Sequence, residues 1–321
     1  MNQPSNLLIK LSRRLFDDST EQEKFINALI HPQSFHPCIL WCCEKPESPF
    51  KIESPVAWQP DFVERLSLKE KPGQHQLHNQ GYYYCLDFSS VFAAMSLFAV
   101  RSPVRTIFDM CAAPGGKSIF AWTVLQPKLL VCNEVISKRI GMLISNIKRC
   151  HISPSVVLNK ATDDLAQLLP KSSQLVIVDA PCTGQSLLAK GDDALGCFHP
   201  TTINKNANRQ KRILANSAEL VAPQGYLTYM TCTYSVEENE QVCEWFLSKF
   251  PQFQAVEVPT LVEYQSHLSH ISCYRLFPQS GLGAGAFTVL FQNTEVGETK
   301  QVDFEMLQRV GIRYRLEDTY H

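Results

Sequence analysis

The apolar positions of this chain follow two different periods. Leu7, Leu8, Leu11 and Leu15 recur at helical spacing with Lys10, Arg13 and Arg14 between them. Phe25, Ile26, Leu29 and Ile30 repeat the pattern after Thr20 and Glu23, whose spacing fits a capping box. Two amphipathic helices are expected over residues 7–30, packed as a pair with solvated charges. From 31 to 81 the pattern breaks at Pro32, Pro37, Pro46, Pro49, Pro55, Pro60 and Pro72, and only residues 38–42 read as a clear strand. Residues 82–85 are strand-like, and Ser89-Ser90 opens an apolar helix through Val91, Phe92, Met95, Leu97 and Phe98. A boundary between 72 and 81 divides a small N-terminal module (1–80) from a larger domain (81–292), followed by a polar extension (293–321).

From residue 106 onward, short apolar runs alternate with helical patterns, the signature of a parallel α/β sheet. Strands are expected at 106–109, 128–134, 155–158, 175–178 and around 226–230. Helices are expected near 136–149, 204–221 and 236–250, and two further strands near 253–258 and 286–291. Within the extension, residues 303–310 fit one more helix. The run Leu175-Val176-Ile177-Val178 is apolar at every position, as in a strand covered on both faces. It ends at Asp179 and turns through Pro181-Cys182. The 226–230 strand likewise ends in Thr231-Cys232-Thr233. Ligands of open α/β sheets sit beyond the carboxyl ends of the strands, so Asp179, Cys182 and Cys232 should share one crevice.

Composition adds little that is specific. Apolar residues make up 45% and charged residues 19%, as in ordinary folded chains. No run approaches the roughly 20 apolar residues of a membrane span, and the N-terminus lacks a basic stretch followed by an apolar core. Several of the 12 cysteines lie inside apolar segments, which suits reduced thiols of a cytoplasmic protein. His36, Cys38, Cys42 and Cys43 are the one cluster with a metal-binding look. Without a Cys-x-x-Cys pair they read as core cysteines beside a strand, so no metal is expected. A net charge of −1 does not announce a nucleic-acid binder.

Two further features carry chemistry. Asp109-Met110-Cys111-Ala112-Ala113-Pro114-Gly115-Gly116-Lys117 is a turn of small residues opening a helix, whose free N–H groups favour a polar ligand. It lacks the dinucleotide fingerprint, and a phosphate loop would need glycine where Cys111 stands. Glu134, at the end of the next strand, is placed to accept ribose hydroxyls, although capping the following helix is an equally ordinary role. Together they suit a nucleoside-type cofactor without a phosphate tail. As for the cysteines, a thiolate attacks electron-poor carbon. One strand-end cysteine is usually a buried small hydrophobe; two at neighbouring strand ends beside an acid are harder to explain that way.

These three motifs, the 109–117 turn, Asp179-Ala-Pro-Cys-Thr-Gly184 and Thr231-Cys-Thr-Tyr-Ser-Val-Glu-Glu-Asn-Glu240, resemble those of the Sun-like (NOL/NOP/Sun) family of RNA 5-methylcytosine methyltransferases. Within it the chain is most similar to bacterial ribosomal-RNA enzymes, 16S among them, over about residues 82–291. Residues 190–195 and Gln210 loosely match the family's loop and helix after the Pro-Cys motif. The resemblance implies a class I, Rossmann-like methyltransferase fold with a small N-terminal α/β domain for RNA or substrate, and S-adenosylmethionine as cofactor. It implies that Asp109, Cys111, Ala112, Ala113, Pro114, Gly115, Gly116 and Lys117 hold the methionine half. Glu134 would hold the ribose, Asp163 or Asp164 the adenine, and Asp179 would lie between donor and base. Cys232 would attack C6 of cytosine, and Cys182 would aid release.

The implied partner is RNA, ribosomal above all, with a single-stranded or flipped cytosine. No membrane is implied, and a monomer is expected. Lys138, Arg139, Lys148, Arg149, Arg209, Lys211 and Arg212 are candidates for phosphate contacts, and the N-terminal helix pair offers an alternative docking face. Leu86-Asp87-Phe88 and Gly285-Ala286-Phe287 depart from the family's pattern, which bears on substrate choice. The rival readings are a transfer-RNA enzyme, a non-catalytic ribosome-assembly factor on the same fold, and a DNA cytosine methyltransferase with Cys182 as nucleophile.

Overall fold

The computed structural model describes residues 3–317. The chain opens with α1 (Asn6–Leu15) and α2 (Ser19–Ile30), then β1 (Cys38–Trp41), β2 (Val63–Arg65), α3 (Gln76–Asn79), β3 (Tyr83–Cys85) and α4 (Phe88–Ala94). The alternating region follows: β4 (Thr106–Asp109), α5 (Gly116–Leu125), β5 (Leu129–Asn133), α6 (Ser137–Arg149), β6 (Ser155–Leu158), α7 (Thr162–Leu168), β7 (Ser173–Asp179), α8 (Pro200–Leu220) and β8 (Val221–Thr231). It closes with α9 (Glu240–Lys249), β9 (Phe253–Val256), β10 (Cys273–Leu276), β11 (Ala286–Asn293), α10 (Phe304–Val310) and β12 (Ile312–Leu316).

The main sheet has the order β10-β11-β8-β7-β4-β5-β6-β12, with β9 pairing on β11. Strands β8, β7, β4, β5 and β6 are parallel neighbours, while β11 and β12 run antiparallel to β8 and β6. The strand order reverses beside β4, so the crevice of an open α/β sheet falls at the carboxyl ends of β4 and β7. Alternation along the central strands fills both layers. Ile107, Leu130, Leu175 and Ile177 join the core under α4 and α5. Phe108, Val131, Val176 and Val178 join the one under α8 and α9. Class I methyltransferase architecture, Rossmann-like, is thus what the chain adopts.

The small sheet, β2-β1-β3, divides its side chains in the same way. Leu40, Val63 and Tyr84 face the main core, and Ile39, Trp41, Leu66 and Tyr83 face a separate cluster. Leu8, Leu11, Leu15, Phe25 and Leu29 bury the apolar stripe of α1 and α2 against Ala189, Tyr234 and Ala284.

The structure adjusts several expected elements. The cap of α2 is Asp18, whose carboxylate accepts Thr20 N–H at 2.8 Å; an Asp caps as well as a Thr and starts the helix earlier. Helix α8 begins at Pro200, in the first-turn position where its missing N–H costs nothing. Helix α9 begins only at Glu240, because the Ser235, Glu238 and Asn239 side chains bond into the turn after β8. Strand β12 lies in the stretch read as a polar extension. Its alternating Arg313, Arg315 and Tyr314 sit on a sheet edge, where one-sided exposure gives a polar composition. Among the described residues no helix is long and apolar enough to cross a membrane, and no three metal-ligating side chains converge.

Candidate active site

Register explains why the two cysteines meet. In the β7–β8 pair, Asp179 lies level with Met230, so Cys182 and Cys232 follow a few residues past neighbouring strand ends. Their sulfurs stand 3.3 Å apart. The two thiols share a hydrogen bond that either can donate. That hydrogen bond draws the Cys232 thiol below its ordinary value, against burial and the Asp179 charge; the Ser186 hydroxyl and the Lys117 ammonium pull the same way. The same bond, with burial, pushes Cys182 well up. Cys232 is exposed and Cys182 only partly so. The thiol drawn below its ordinary value is therefore the more open one.

A buried carboxylate fixes this geometry. Glu238 accepts from Thr183 N–H (2.9 Å) and Gln210 Nε2 (2.9 Å) on one oxygen, and from Thr183 Oγ1 (2.6 Å) and Ser235 Oγ (2.8 Å) on the other. It thereby ties the Pro-Cys turn to the Thr-Cys turn, and Gln210 also donates to Pro181 O at 3.0 Å. The next turn is anchored as firmly. Arg275 donates to Tyr234 O at 3.0 Å and forms a buried fork with Glu240. Tyr234 N–H donates to Gln185 Oε1 at 2.9 Å, its hydroxyl to Ala284 O, and its ring meets Phe25 of α2 edge-on at 5.0 Å. The N-terminal helices thus buttress the cysteine turn.

Two cavities flank the cysteines. The larger, about 950 Å³, is lined by Cys111, Ala113, Pro114, Glu134, Asp163 and Arg209 among others. The smaller, about 180 Å³, is lined by Asp87, Ser90, Lys117, Lys190 and Gly285 among others. Asp179, Leu187 and Cys232 border both and form the wall between them.

The 109–117 motif divides between these cavities. Cys111, Ala113 and Pro114 border the larger one, and the carbonyls of Ala113 and Pro114 are held by Arg139 and by Asn146 (2.8 Å) of α6. Asp109 borders neither: β4 ends level with Ile177, two residues short of Asp179, so its carboxylate lies below the crevice floor. It accepts Ser118 Oγ at 2.6 Å and Cys111 N–H at 3.2 Å, and burial, reinforced by the Asp179 charge, pushes its pKa up to about 7. Ala112, Gly115 and Gly116 shape the turn without bordering either cavity. Gly115 caps α5 at φ +115°, and a Cβ on Gly116 would stand 2.6 Å from Leu86. Lys117 points the other way, to Asp179 Oδ2 (3.0 Å) and Ser90 Oγ (3.1 Å). Burial opposes its charge, yet the Asp179 carboxylate holds its pKa above the ordinary value.

Glu134 helps to start α6, one of the two roles foreseen for it. One oxygen accepts Ile136 N–H at 2.8 Å, while Oε2 is buried with no hydrogen-bond partner, Arg139 Nη1 standing 3.2 Å away. Val135 and Ile136, both partly exposed, continue the same wall, and Asp163 of the neighbouring acid pair is the one that borders the cavity. A carboxylate oxygen that is ion-paired with Arg139 but accepts no hydrogen bond, beside an apolar wall, fits a ribose and a flat base. Of the basic candidates, Arg139, Arg209 and Arg212 border the cavity, whereas Arg149 is spent on His78 O (2.8 Å) and Tyr83 O (3.2 Å). Sequence reasoning quoted Tyr234, Glu238 and Gln210 without a role, and missed Arg275 altogether. Only the polar run Ser235–Asn239 interrupting a helical pattern marked the place.

The chain has relatives in both sequence and fold. The family model described as 16S rRNA methyltransferase RsmB/F matches residues 99–292. "Ribosomal RNA small subunit methyltransferase F" of Cronobacter sakazakii is 31% identical over 212 residues, 65% of this chain and 44% of that protein. Its namesake in Escherichia coli O9:H4 is 28% identical over 250 residues, 75% of this chain and 52% of that protein. The chain thus spans about half the length of the curated relatives it matches. In fold it is similar to a methyltransferase homolog protein from Pyrococcus horikoshii (TM-score 0.69, 19% identity, 90% of this chain and 99% of that one). It is equally similar to NSun6 from Pyrococcus horikoshii with SFG (TM-score 0.70, 16% identity, 91% and 99%). With 194 matched residues spanning the crevice and both cysteine turns, this chain belongs to the 16S rRNA methyltransferase RsmB/F family.

Proposed function

We propose that this protein methylates C5 of a cytosine in RNA, ribosomal RNA above all, using S-adenosylmethionine. The observation that carries the reading is the wall: Cys232 and Asp179 border both cavities, with the Cys182 thiol 3.3 Å behind Cys232. A cofactor in the larger cavity and an unstacked base in the smaller would meet across it. Glu134 would hold the ribose and Asp163 the adenine edge, with Cys111, Ala113 and Pro114 along the methionine half. When bound, S-adenosylmethionine supplies an electrophilic methyl group.

The residues perform the rest. The Cys232 thiolate adds to C6, forming a C–S bond and pushing the C5–C6 pair toward the ring nitrogen. The Asp179–Lys117 pair supplies a proton at N3, so the ring becomes a neutral enamine with a nucleophilic C5. Once C5 carries the methyl group, its hydrogen passes as a proton to water and the C6–S bond breaks. The N3 proton then returns to the pair. The departing thiolate is received by the Cys182 S–H, 3.3 Å away. The greater exposure of Cys232 disfavours the DNA-enzyme reading, in which Cys182 would attack. Residues 1–80 would serve substrate RNA, partly by buttressing Tyr234.

Bisulfite sequencing of total RNA from a strain lacking the gene, with and without complementation, tests the reading. One cytosine should lose and regain its protection. An unchanged map in RNA, together with no S-adenosylmethionine binding by calorimetry, would overturn it.

A further inference from the structure

A third hollow, about 350 Å³, opens beside the small cavity. It is lined by Gln33, Ser34, Phe35 and His36 of the connection between α2 and β1, and by Asp87 and Lys190, which border the small cavity as well. The Lys190–Asp87 ion pair, 2.5 Å, is the partition. Burial works against the Asp87 charge, yet Lys190 and the Ser89 hydrogen bonds hold its carboxyl below the ordinary range. The connection has no regular structure but is fixed in place. His36 Nδ1 lies 2.9 Å from Leu66 O, Leu66 N–H donates to Pro37 O at 2.7 Å, and Phe35 packs against the α1–α2 cluster.

We propose that this hollow binds the nucleotide adjoining the target cytosine. The inference rests on the reading above, in which the base enters the small cavity. The two cavities meet at the shared partition, so a strand that has its base in the small one and crosses there brings the next nucleotide to a hollow about twice as large. That hollow offers what RNA readers use: an aromatic ring for stacking, an amide and a hydroxyl for base edges, and an ammonium group for the linking phosphate. The hollow would therefore select sequence at a neighbouring position, while the cysteines act on the target.

The test uses the full chain and a fluorescein-labelled pentaribonucleotide, U-U-C-U-U, read by anisotropy at low salt. Two further RNAs lack the base on the 5′ or the 3′ side of the cytosine. One of these should bind about tenfold more weakly than the intact RNA. Phe35→Leu, which keeps apolar bulk against the helices but removes the ring, should weaken the intact RNA by a similar factor. In that variant the missing base should cost nothing more, and Phe35→Tyr should restore binding. Lys190→Gln should reduce the salt slope by about one phosphate contact. The inference is overturned if the base-removal and Phe35→Leu losses multiply, if Lys190→Gln leaves the slope unchanged, or if the intact RNA does not bind. Failure of the methylation reading shows elsewhere, as loss of S-adenosylmethionine binding with these couplings intact.

Discussion

The two cavities on either side of the Asp179–Cys232 wall are built in different ways. The larger takes its walls from successive strand-to-helix connections, after β4, β5, β6 and β7, with one face of α8. The smaller gathers a few residues each from α4, α5, the turns after β7 and β8, and residues 284–286. Its closing hydrogen bond, Gly285 N–H to Ser89 Oγ at 3.0 Å, joins positions 196 apart in the chain. The proposed cofactor site is thus local and repeats along the sequence. The proposed substrate site is a convergence of distant segments, and it includes Asp87, Gly285 and Ala286 of the two stretches that depart from the family's pattern.

Breaking the wall has the largest expected effect. Cys232→Ala should abolish methylation and leave no covalent complex, because C5 is never activated. Cys182→Ala should still allow attack but stall release, giving a slower, nuclease-sensitive band on a denaturing gel; the double replacement should show none. Trapping by Cys232→Ala instead would assign the attack to Cys182. Next comes the carboxylate behind the wall. Glu238→Ala strands several buried donors of both cysteine turns and should lower the unfolding free energy by roughly 3 kcal/mol or more. A urea midpoint close to that of the unaltered chain would refute the anchoring role.

Two replacements separate the cavities. Lys117→Gln should lower single-turnover methylation by roughly 10²-fold while S-adenosylmethionine affinity, by calorimetry, stays within about threefold, although Lys117 belongs to the glycine turn. Glu134→Ala should do the reverse. Losing a charge-assisted hydrogen bond of about 1.5–3 kcal/mol should weaken S-adenosylmethionine binding by about one to two orders of magnitude, with RNA binding unaltered. If both changes weaken the cofactor alike, the division of the motif between two cavities is wrong.

The last effect, a pH dependence of stability rather than of activity, concerns the crevice floor. Asp109, raised to about 7 in the folded chain, loses its proton near 3.9 when unfolded. Between those values the folded state holds the extra proton, so this group's contribution to stability is full below about pH 4 and declines as pH rises to about 7. Asp109→Asn removes that dependence. The stability difference between the two proteins, followed by urea unfolding, should therefore move in favour of the variant from pH 4 to pH 7. A constant difference would mean that the buried carboxyl titrates normally.

What the sequence determined by itself is whatever depends on near neighbours. The strands β4 to β8 were legible because a strand covered on both faces must be apolar at every position, as Leu175 to Val178 are. The cysteine and glycine turns were legible because each is a short run at a strand end. Tertiary structure decided what depends on register and on distant partners. Asp109 and Asp179 look alike in sequence as strand-end acids. A two-residue offset between β4 and β7 buries one beneath the floor and places the other in the wall. Lys117 stands in a cofactor motif but reaches across to Asp179, because α5 starts under Leu86. Strand β12 was hidden because an edge strand exposed on one side has a polar composition. Glu238 was quoted without a role because a buried carboxylate declares itself only when donors from two separate turns converge on it.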